Sequence, residues 1–163
     1  MLRGFGTPTG GGLVAIPEFT QDGLLPPGIH SCTFHEVQSR FGFTLTRVAI
    51  ALGLRQMIHN LPDGSAVKHI ITDGSFVQNV ANPTDVDVVL VVESLKDGDP
   101  GQLLLSWIAR RHLDLKAMDQ LDVYVADEQT VREYWLGKFG STRDGRSKGM
   151  LKIVRKGDGP DDY

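Results

Sequence analysis

The sequence predicts an α/β (α+β) fold in which helices pack against a β-sheet. Short segments rich in valine and isoleucine alternate along the chain with longer segments whose apolar residues recur at helical spacing. Turn residues and helix-capping residues separate the two kinds of segment. With 163 residues, 40% of them hydrophobic, the chain is long enough to bury one core and too short for two full-sized domains.

The first third of the chain is predicted to hold a loop and two helices. Phe19–Gly28 contains Asp-Gly and Pro-Pro-Gly turn sequences and is expected to be an ordered loop. Thr33 and Glu36 have the spacing of a capping box, which begins a helix. A second helix is predicted over Thr44–Asn60, ahead of a proline. Its apolar residues recur near helical spacing at Leu45, Val48, Ala49, Leu52 and Met57.

Strands and helices alternate in the remainder. Val67–Thr72 is predicted as a short strand that ends in a sharp turn at Asp73-Gly74-Ser75, and Val86–Val92 is a strongly β-like run. The later elements are expected to be a helix that starts at Asp99-Pro100 and runs through about His112, a strand over Leu121–Ala126, a helix capped by Asp127 that runs through about Lys138, and a last strand over Met150–Val154.

The two ends differ from the body in composition. Residues 1–15 are glycine-rich and are expected to form a flexible N-terminus, residues 16–156 a single domain, and residues 157–163 a flexible acidic C-terminus. No secretory signal is recognisable, and no apolar run approaches the roughly 18 residues of a membrane span. Cys32 is the sole cysteine, which excludes an intrachain disulfide and a cysteine-based zinc site and favours a reducing cytoplasm.

Charge is distributed unevenly. Residues 1–130 carry 9 basic and 15 acidic side chains, whereas residues 131–157 carry 8 basic and 2 acidic ones. An acidic body followed by a basic segment is typical of a protein that holds metal ions at one place and phosphate oxygens at another. The alternative is a solvated basic end without a ligand.

Two aspartates at the start of the second predicted strand indicate a metal site. Asp85 and Asp87 are two residues apart, so in extended chain their carboxylates point to one side. Two like charges this close repel each other unless a cation lies between them, and Mg²⁺ prefers carboxylate oxygens and substrate phosphates as ligands. On the other side of a nine-residue gap before Asp85, Gly74 allows close approach of the backbone and Ser75 offers a hydroxyl to a terminal phosphate. An acidic residue among valines is also common on an ordinary half-exposed strand.

A third aspartate, Asp122, lies in the next predicted strand. If that strand pairs beside Val86–Val92, Asp122 completes the ligand set of a second metal ion and can accept the proton of an incoming hydroxyl. Two metal ions about 4 Å apart stabilise both the attacking and the leaving oxygen of an in-line displacement at phosphorus.

Together, Gly74-Ser75, the nine-residue gap, Asp85-Val86-Asp87 and the later strand aspartate resemble the polymerase-beta-type nucleotidyltransferase superfamily in its small, minimal form. The resemblance covers roughly residues 67–126. Further segments, at Ile16–His30 and Phe139–Gly149, resemble an uncharacterised prokaryotic family within that superfamily.

The resemblance implies a mixed β-sheet flanked by helices, and Mg²⁺-dependent transfer of a nucleotidyl group from a nucleoside triphosphate to a hydroxyl. Gly74 and Ser75 would hold the triphosphate, Asp85 and Asp87 two Mg²⁺ ions, and Asp122 the catalytic one. Asp114 and Asp119 are alternatives for this third acid.

The acceptor of the nucleotidyl group is expected to be a protein or an RNA. The chain has no room for the extra domain with which larger members select it, so a partner or the protein's own termini would hold the acceptor. Small enzymes that resemble this one often belong to toxin–antitoxin or phage-defence pairs, which implies a cognate partner protein.

The basic segment supplies three further candidates, Arg143, Arg146 and Lys148. They are predicted either to bind triphosphate oxygens, for which arginine is suited, or to guide an RNA backbone. A solvent-facing loop is the alternative. Tyr134, Trp135 and Phe139 have helical spacing and are predicted to be core contacts.

Two other functions stay open. The fold could be a binding module or antitoxin-like interaction module without catalysis, although such a module has no chemical reason to keep two carboxylates side by side. A metal-dependent phosphodiesterase would need similar carboxylates, but it usually recruits histidines and has no use for a triphosphate-binding Gly-Ser turn.

Overall fold

The computed structural model describes residues 16–62 and 66–155. The strands are β1 (Gly28–Cys32), β2 (Val67–Asp73), β3 (Val86–Val92), β4 (Leu121–Asp127) and β5 (Gly149–Ile153). The helices are α1 (Phe34–Phe41), α2 (Leu45–His59), α3 (Pro100–Asp119), α4 (Glu128–Thr130) and α5 (Leu136–Phe139). A 3-10 turn at Ser75–Val77 follows β2, and a π-helical turn at Val131–Trp135 joins α4 to α5. The predicted flexible ends, residues 1–15 and 157–163, lie outside the described residues.

The strands form one mixed sheet in the order β1-β5-β2-β3-β4. Strand β2 runs antiparallel to both β3 and β5, while β3–β4 and β1–β5 are parallel pairs. The parallel β3–β4 pair requires a crossover, which α3 supplies. The α/β prediction is therefore confirmed, and the condition on which the role of Asp122 depends is met, because β4 pairs beside β3.

Helical segments cover both faces of the sheet. Helices α1, α2 and α3 pack on one face, against side chains such as Ile70 and Val88. The segment of residues 128–139 packs with Trp135 and Phe139 on the other face, against Ile71 and Val89. Because both faces are buried, β3 is apolar along almost its whole length.

Most predicted elements are found within one residue of their expected ends, with two corrections. The helix that begins after Asp99 continues seven residues past His112, to Asp119, and ends at Gln120 in the left-handed conformation. The periodic apolar residues do not stop at His112, and only this length carries the chain back to the start of β4. Strand β1 was not predicted, because this half-exposed edge strand has no alternating pattern and is defined by its pairing with β5.

The predicted capping residues behave differently from one another. The Thr33 hydroxyl accepts a hydrogen bond from the Glu36 amide at 3.3 Å, and the Glu36 carboxylate accepts one from the Thr33 amide at 2.7 Å. Asp127 likewise accepts the Thr130 amide at 2.8 Å. Asp99 occupies the N-cap position of α3, but its side chain makes no capping hydrogen bond.

Helix α2 has apolar residues on both sides, and the sheet covers only one of them. Of the five residues whose spacing predicted this helix, only Met57 is buried, and Leu45 is 88% exposed. The buried side holds Arg47, Ile50, Ala51, Gly53, Leu54, Met57 and Ile58. None of the described helices combines the length and the apolar character that crossing a membrane requires.

Candidate functional site

Three aspartates stand in a row across the sheet. In the register of β2, β3 and β4, Asp73 is paired with Asp87, and Asp87 is paired with Asp122. Paired residues on neighbouring strands, about 4.8 Å apart, point to the same face. The row lies on the face covered by residues 128–139, since Ile71 and Val89 point the same way as Asp73 and Asp87. From the sequence, Asp73 is predicted only as part of a turn.

The turn after β2 connects this row to Asp85. The Asp85 Oδ1 accepts hydrogen bonds from the Ser75 hydroxyl at 2.9 Å and from the Ser75 amide at 3.2 Å. Gly74 has a φ of 90°, and a Cβ there would lie 3.1 Å from the Asp87 nitrogen and 3.2 Å from the Asp85 Oδ1. The glycine is therefore required for the close approach of this turn to β3.

These residues line an open cleft of about 960 Å³. The carboxylates on its wall belong to Asp73, Asp85, Asp87 and Asp122, together with those of Asp22 and Asp144. The cations are Lys116, Lys138, Arg143, Arg146 and Lys148. The cleft thus brings every residue of the predicted site to one place, with the acids on the sheet and most of the cations on the chain after β4.

Lys148 lies at the base of the cleft and is paired with Asp73. Its Nζ is 2.7 Å from one carboxylate oxygen of Asp73 and 2.6 Å from the other, and both side chains are less than a tenth exposed. Burial raises the pKa of Asp73 to about 6, against the opposing effect of the Lys148 hydrogen bonds. The sequence predicts that Lys148 binds triphosphate oxygens or guides an RNA backbone. In this structure its charge is already paired.

The carboxylate of Asp122 is only partly satisfied. Its Oδ2 accepts a hydrogen bond from Lys116 at 3.2 Å, and His112 Nε2 lies 3.6 Å from Oδ1. That Oδ1 is buried and has no hydrogen-bond partner among the described residues. His112 is too far from this oxygen for a hydrogen bond, and a buried carboxylate oxygen without one is unfavourable, so the position is suited to a cation or a donor supplied by a ligand.

Negative charge accumulates around Asp87. Burial raises the pKa of its carboxyl group, and the charges of Asp85 and Asp122 raise it further, while Lys138 and Lys148 oppose the effect. Tyr124 follows Asp122 on the same face of β4, and burial next to this carboxylate raises the pKa of the Tyr124 phenol to about 12. A cation in the cleft would relieve the repulsion among these acids.

The carboxylates do not yet converge on one point. Within residues 16–62 and 66–155, no three acidic, histidine or cysteine side chains meet closely enough to bind one metal ion as they stand. Asp85 is turned towards Ser75 and Asp122 towards Lys116. Binding a metal ion between them would therefore require these side chains to rotate away from their present partners.

The two predicted arginines differ in how strongly they are held. Arg146 Nε lies 3.0 Å from Asp144, and its guanidinium reaches Asp22 at 3.8 Å. Arg143 makes no ion pair within the described part of the chain and lines the cleft. Arg143 is therefore the guanidinium most available to an anionic ligand.

Lys138 is a cleft residue that sequence reasoning missed. Its Nζ lies 5.0 Å from the Trp135 ring centroid, 5.5 Å from that of Tyr134 and 5.8 Å from that of Tyr124. These rings hold the ammonium group by cation–π contacts beside the acids. No spacing in the sequence pointed to this lysine, because its place depends on how the segment of residues 128–139 crosses the sheet.

Other candidates lie away from the cleft. Asp114 and Asp119, the alternatives for the third acid, are on α3 and do not line it. Trp135 and Phe139 are buried core contacts as predicted, whereas Tyr134 is exposed. Cys32 is buried, and burial raises the pKa of its thiol to about 12, which makes it a poor nucleophile.

Comparison with known proteins gives one match. No curated protein and no solved structure matches the chain. Residues 17–154 match the family of unknown function DUF6932, a span that includes every strand and helix described above and every residue of the predicted site. The chain therefore belongs to the DUF6932 family.

Proposed function

We propose that the protein is a Mg²⁺-dependent nucleotidyltransferase that transfers a nucleoside monophosphate from a nucleoside triphosphate to a hydroxyl group of a protein or RNA and releases pyrophosphate. The observation that carries this proposal is the composition of the cleft. Carboxylates on adjoining strands face it together with the Gly74-Ser75 turn and a group of cations. Because carboxylates bind metal ions and cations bind phosphate oxygens, this combination suits a ligand in which phosphates and metal ions are bound to each other.

The donor set fits magnesium. Asp85, Asp87 and Asp122 offer hard oxygen ligands within one cleft, and the buried Oδ1 of Asp122 accepts no hydrogen bond from the residues that the structure describes. When bound, two Mg²⁺ ions would stabilise the charge that develops on the attacking and leaving oxygens.

The remaining roles follow from where the side chains lie. The Ser75 hydroxyl and the amides of its turn would hold the terminal phosphate, and Arg143 would add a guanidinium to the triphosphate oxygens. Asp122 would accept the proton as the acceptor oxygen forms its bond to the α-phosphorus and the bond to pyrophosphate breaks. Arg146 would bind the phosphates after its ion pair with Asp144 breaks. Lys148 would contribute indirectly, by holding the carboxylate of Asp73 in place.

The hydroxyl group that accepts the nucleotidyl group would belong to another molecule. Residues 16–62 and 66–155 form one α+β unit in which the cleft is open. A partner protein or RNA would cover the cleft and present the hydroxyl, as in the toxin–antitoxin and phage-defence pairs that similar small enzymes form. The reducing cytoplasm suits the lone, buried thiol of Cys32.

Transfer of label tests the proposal. The protein is incubated with each α-labelled nucleoside triphosphate, Mg²⁺ and a cell lysate, beside Asp85→Asn and Asp87→Asn. Asp114→Asn is the matched control, because it removes the same charge on α3 outside the cleft. We expect label on a macromolecule with the unmodified protein and the control only. Equal labelling by the Asp85 and Asp87 variants would contradict the assigned mechanism.

One observation favours a second candidate, a binding module without catalysis. Lys148 already neutralises Asp73, and Lys116 forms an ion pair with Asp122, so part of the acidic charge is balanced without a metal ion. Calorimetry with Mg²⁺ and the four triphosphates separates the two. A chain that binds none of them supports the module. Cleavage of RNA without release of pyrophosphate would instead indicate a phosphodiesterase.

A further inference from the structure

Arg47, on helix α2, is a fully buried cation without a carboxylate partner among the described residues. It has the largest of the completely buried side chains, and rings of Phe43 and Phe76 lie 4.2 Å and 5.4 Å from its guanidinium carbon. Burying an arginine without a counter-ion is costly unless other groups compensate its charge. The groups that compensate the charge of Arg47 therefore indicate its role.

The guanidinium is surrounded by backbone carbonyl oxygens. It donates from Nε to the Val80 oxygen at 2.7 Å, from Nη1 to the Phe76 oxygen at 2.7 Å, and from Nη2 to the Gln78 oxygen. A longer bond of 3.4 Å reaches the Phe41 oxygen at the end of α1. Three alternate carbonyls of one loop thus point at a single side chain, and the rigid fork of arginine donors is what allows one residue to bind all three.

This loop joins two residues of the cleft. Residues 76–84 are the nine residues between Ser75 and Asp85, whose side chains are hydrogen-bonded to each other. The Phe76 amide donates to the Asp85 carbonyl at 3.1 Å, which closes the loop at its base. The shape of the loop therefore fixes how its two ends meet in the cleft.

The start of α2 holds the far part of the same loop. The Thr44 hydroxyl donates to the Ala81 oxygen at 2.7 Å, and the Thr46 hydroxyl donates to the Asn82 side chain at 3.2 Å. Burial lowers the pKa of Arg47 to about 10, which leaves it charged at neutral pH. Without the guanidinium, the carbonyls that now surround it would lose their donors, and the loop would have to rearrange to satisfy them.

We propose that Arg47 is a positioning residue: it organises residues 76–82 around its guanidinium and thereby sets the approach of Ser75 to Asp85 at the cleft. The contacts of Arg47 with the loop support this positioning role by themselves. Control by Arg47 of the affinity of the cleft for triphosphate rests, in addition, on the proposed function.

Hydrogen exchange in Arg47→Lys tests the positioning claim. Lysine keeps the charge but presents one nitrogen in place of the three-nitrogen fork, so it cannot reach all of the loop carbonyls. Leu54→Ala is the matched control, because it perturbs a fully buried residue of the same helix that does not contact the loop through hydrogen bonds. The amides of Phe76, Val77 and Gln78 are followed, since each donates a hydrogen bond within this turn.

We expect these amides to exchange at least about tenfold faster in Arg47→Lys than in Leu54→Ala, while the amides of β3 exchange alike in the two variants. Unchanged exchange in the loop would overturn the claim. Equal acceleration of the loop and of β3 would also overturn it, because Arg47 would then be only one more core residue. If Arg47→Lys does not fold, Thr46→Val replaces it, because this variant removes an exposed hydrogen bond to the same loop. We expect Thr46→Val to accelerate amide exchange in the loop about threefold. Unchanged exchange would again overturn the claim.

The second readout is the affinity for the triphosphate that the unmodified protein binds most tightly, measured by calorimetry with Mg²⁺. At a temperature where both variants are folded, we expect Arg47→Lys to bind at least about tenfold more weakly than Leu54→Ala. A mobile loop with unchanged affinity would refute control of the cleft by Arg47. If the unmodified protein binds no triphosphate, the proposed function fails, and the exchange measurement still decides the positioning claim.

Discussion

Replacing Lys148 with methionine should destabilise the protein in a manner that depends on pH. The substitution keeps a long side chain at a buried position but leaves the Asp73 carboxylate without the ammonium group that now contacts both of its oxygens at 2.6 and 2.7 Å. Because both partners are less than a tenth exposed, water cannot replace the lost contact.

The structure sets the size of the effect. Removing one partner of a buried ion pair costs about 3–5 kcal/mol. The pKa of Asp73 is raised from 3.8 to about 6 even with Lys148 present, which is equivalent to about 3 kcal/mol of unfolding free energy lost as pH rises from below 4 to 7. A carboxyl group whose pKa is higher in the folded state stabilises the fold when protonated. Without Lys148 that pKa rises further, so the loss extends to higher pH.

Urea unfolding at pH 5 and pH 8, in a buffer with chelator, measures both the loss of unfolding free energy and its dependence on pH. We expect Lys148→Met to lose about 3–5 kcal/mol at pH 8 and clearly less at pH 5, where Asp73 is protonated. The double variant Asp73→Asn, Lys148→Met should recover part of the loss, since no buried charge remains. Lys116→Met is the control, because Lys116 is exposed, so that water can replace its ammonium group beside Asp122, and the substitution should cost no more than about 1 kcal/mol.

A loss in Lys148→Met of the same size as in Lys116→Met, unchanged between the two pH values, would refute the reasoning. The Asp73 carboxylate would then be accessible to water, and the base of the cleft would not be closed as described.

Three further predictions concern single positions. Gly74→Ala should destabilise by about 1–3 kcal/mol in thermal unfolding, because its φ of 90° is unfavourable for alanine and the added Cβ would lie 3.1 Å from the Asp87 nitrogen; no change in the melting temperature would contradict the close approach. Thr33→Ala should cost about 1 kcal/mol in urea unfolding, since it removes the hydroxyl half of the capping box with Glu36, and a neutral effect would mean that the cap contributes nothing. Arg143→Gln should weaken triphosphate binding about tenfold in calorimetry without lowering the melting temperature, because this exposed arginine has no ion pair with residues 16–62 or 66–155; a melting temperature that falls instead would assign Arg143 to the fold.

Local chemistry made much of the chain predictable. The capping box of α1, the limits of β3 and the turn at Gly74 depend on residues within a few positions of one another, and the structure has them where the sequence predicted them. Asp85 and Asp87, which are separated by one residue, both line the cleft. Whether these residues bind metal ions and triphosphate stays a prediction.

The properties of the cations were not predictable in the same way. Lys148, Arg146 and Arg143 formed one basic segment in the sequence, yet the structure buries the first against Asp73, ties the second to Asp144 and leaves the third free of ion pairs among the described residues. A charge pattern gives the number of cations near a site. Which of them can meet a ligand depends on partners that lie 75 residues away along the chain, as Asp73 does from Lys148.

The sequence by itself therefore determined the kinds and the order of all the elements except β1, and the two aspartates, Asp85 and Asp87, at the start of β3. Only the tertiary structure decided that Asp73, Asp87 and Asp122 share one face, which side of α2 is buried, and that Arg47 is the centre of a loop rather than a surface charge. The physical reason is that strand register and helix orientation are set by the packing of the whole core. Each residue contributes to that packing, but no short stretch of the chain encodes it.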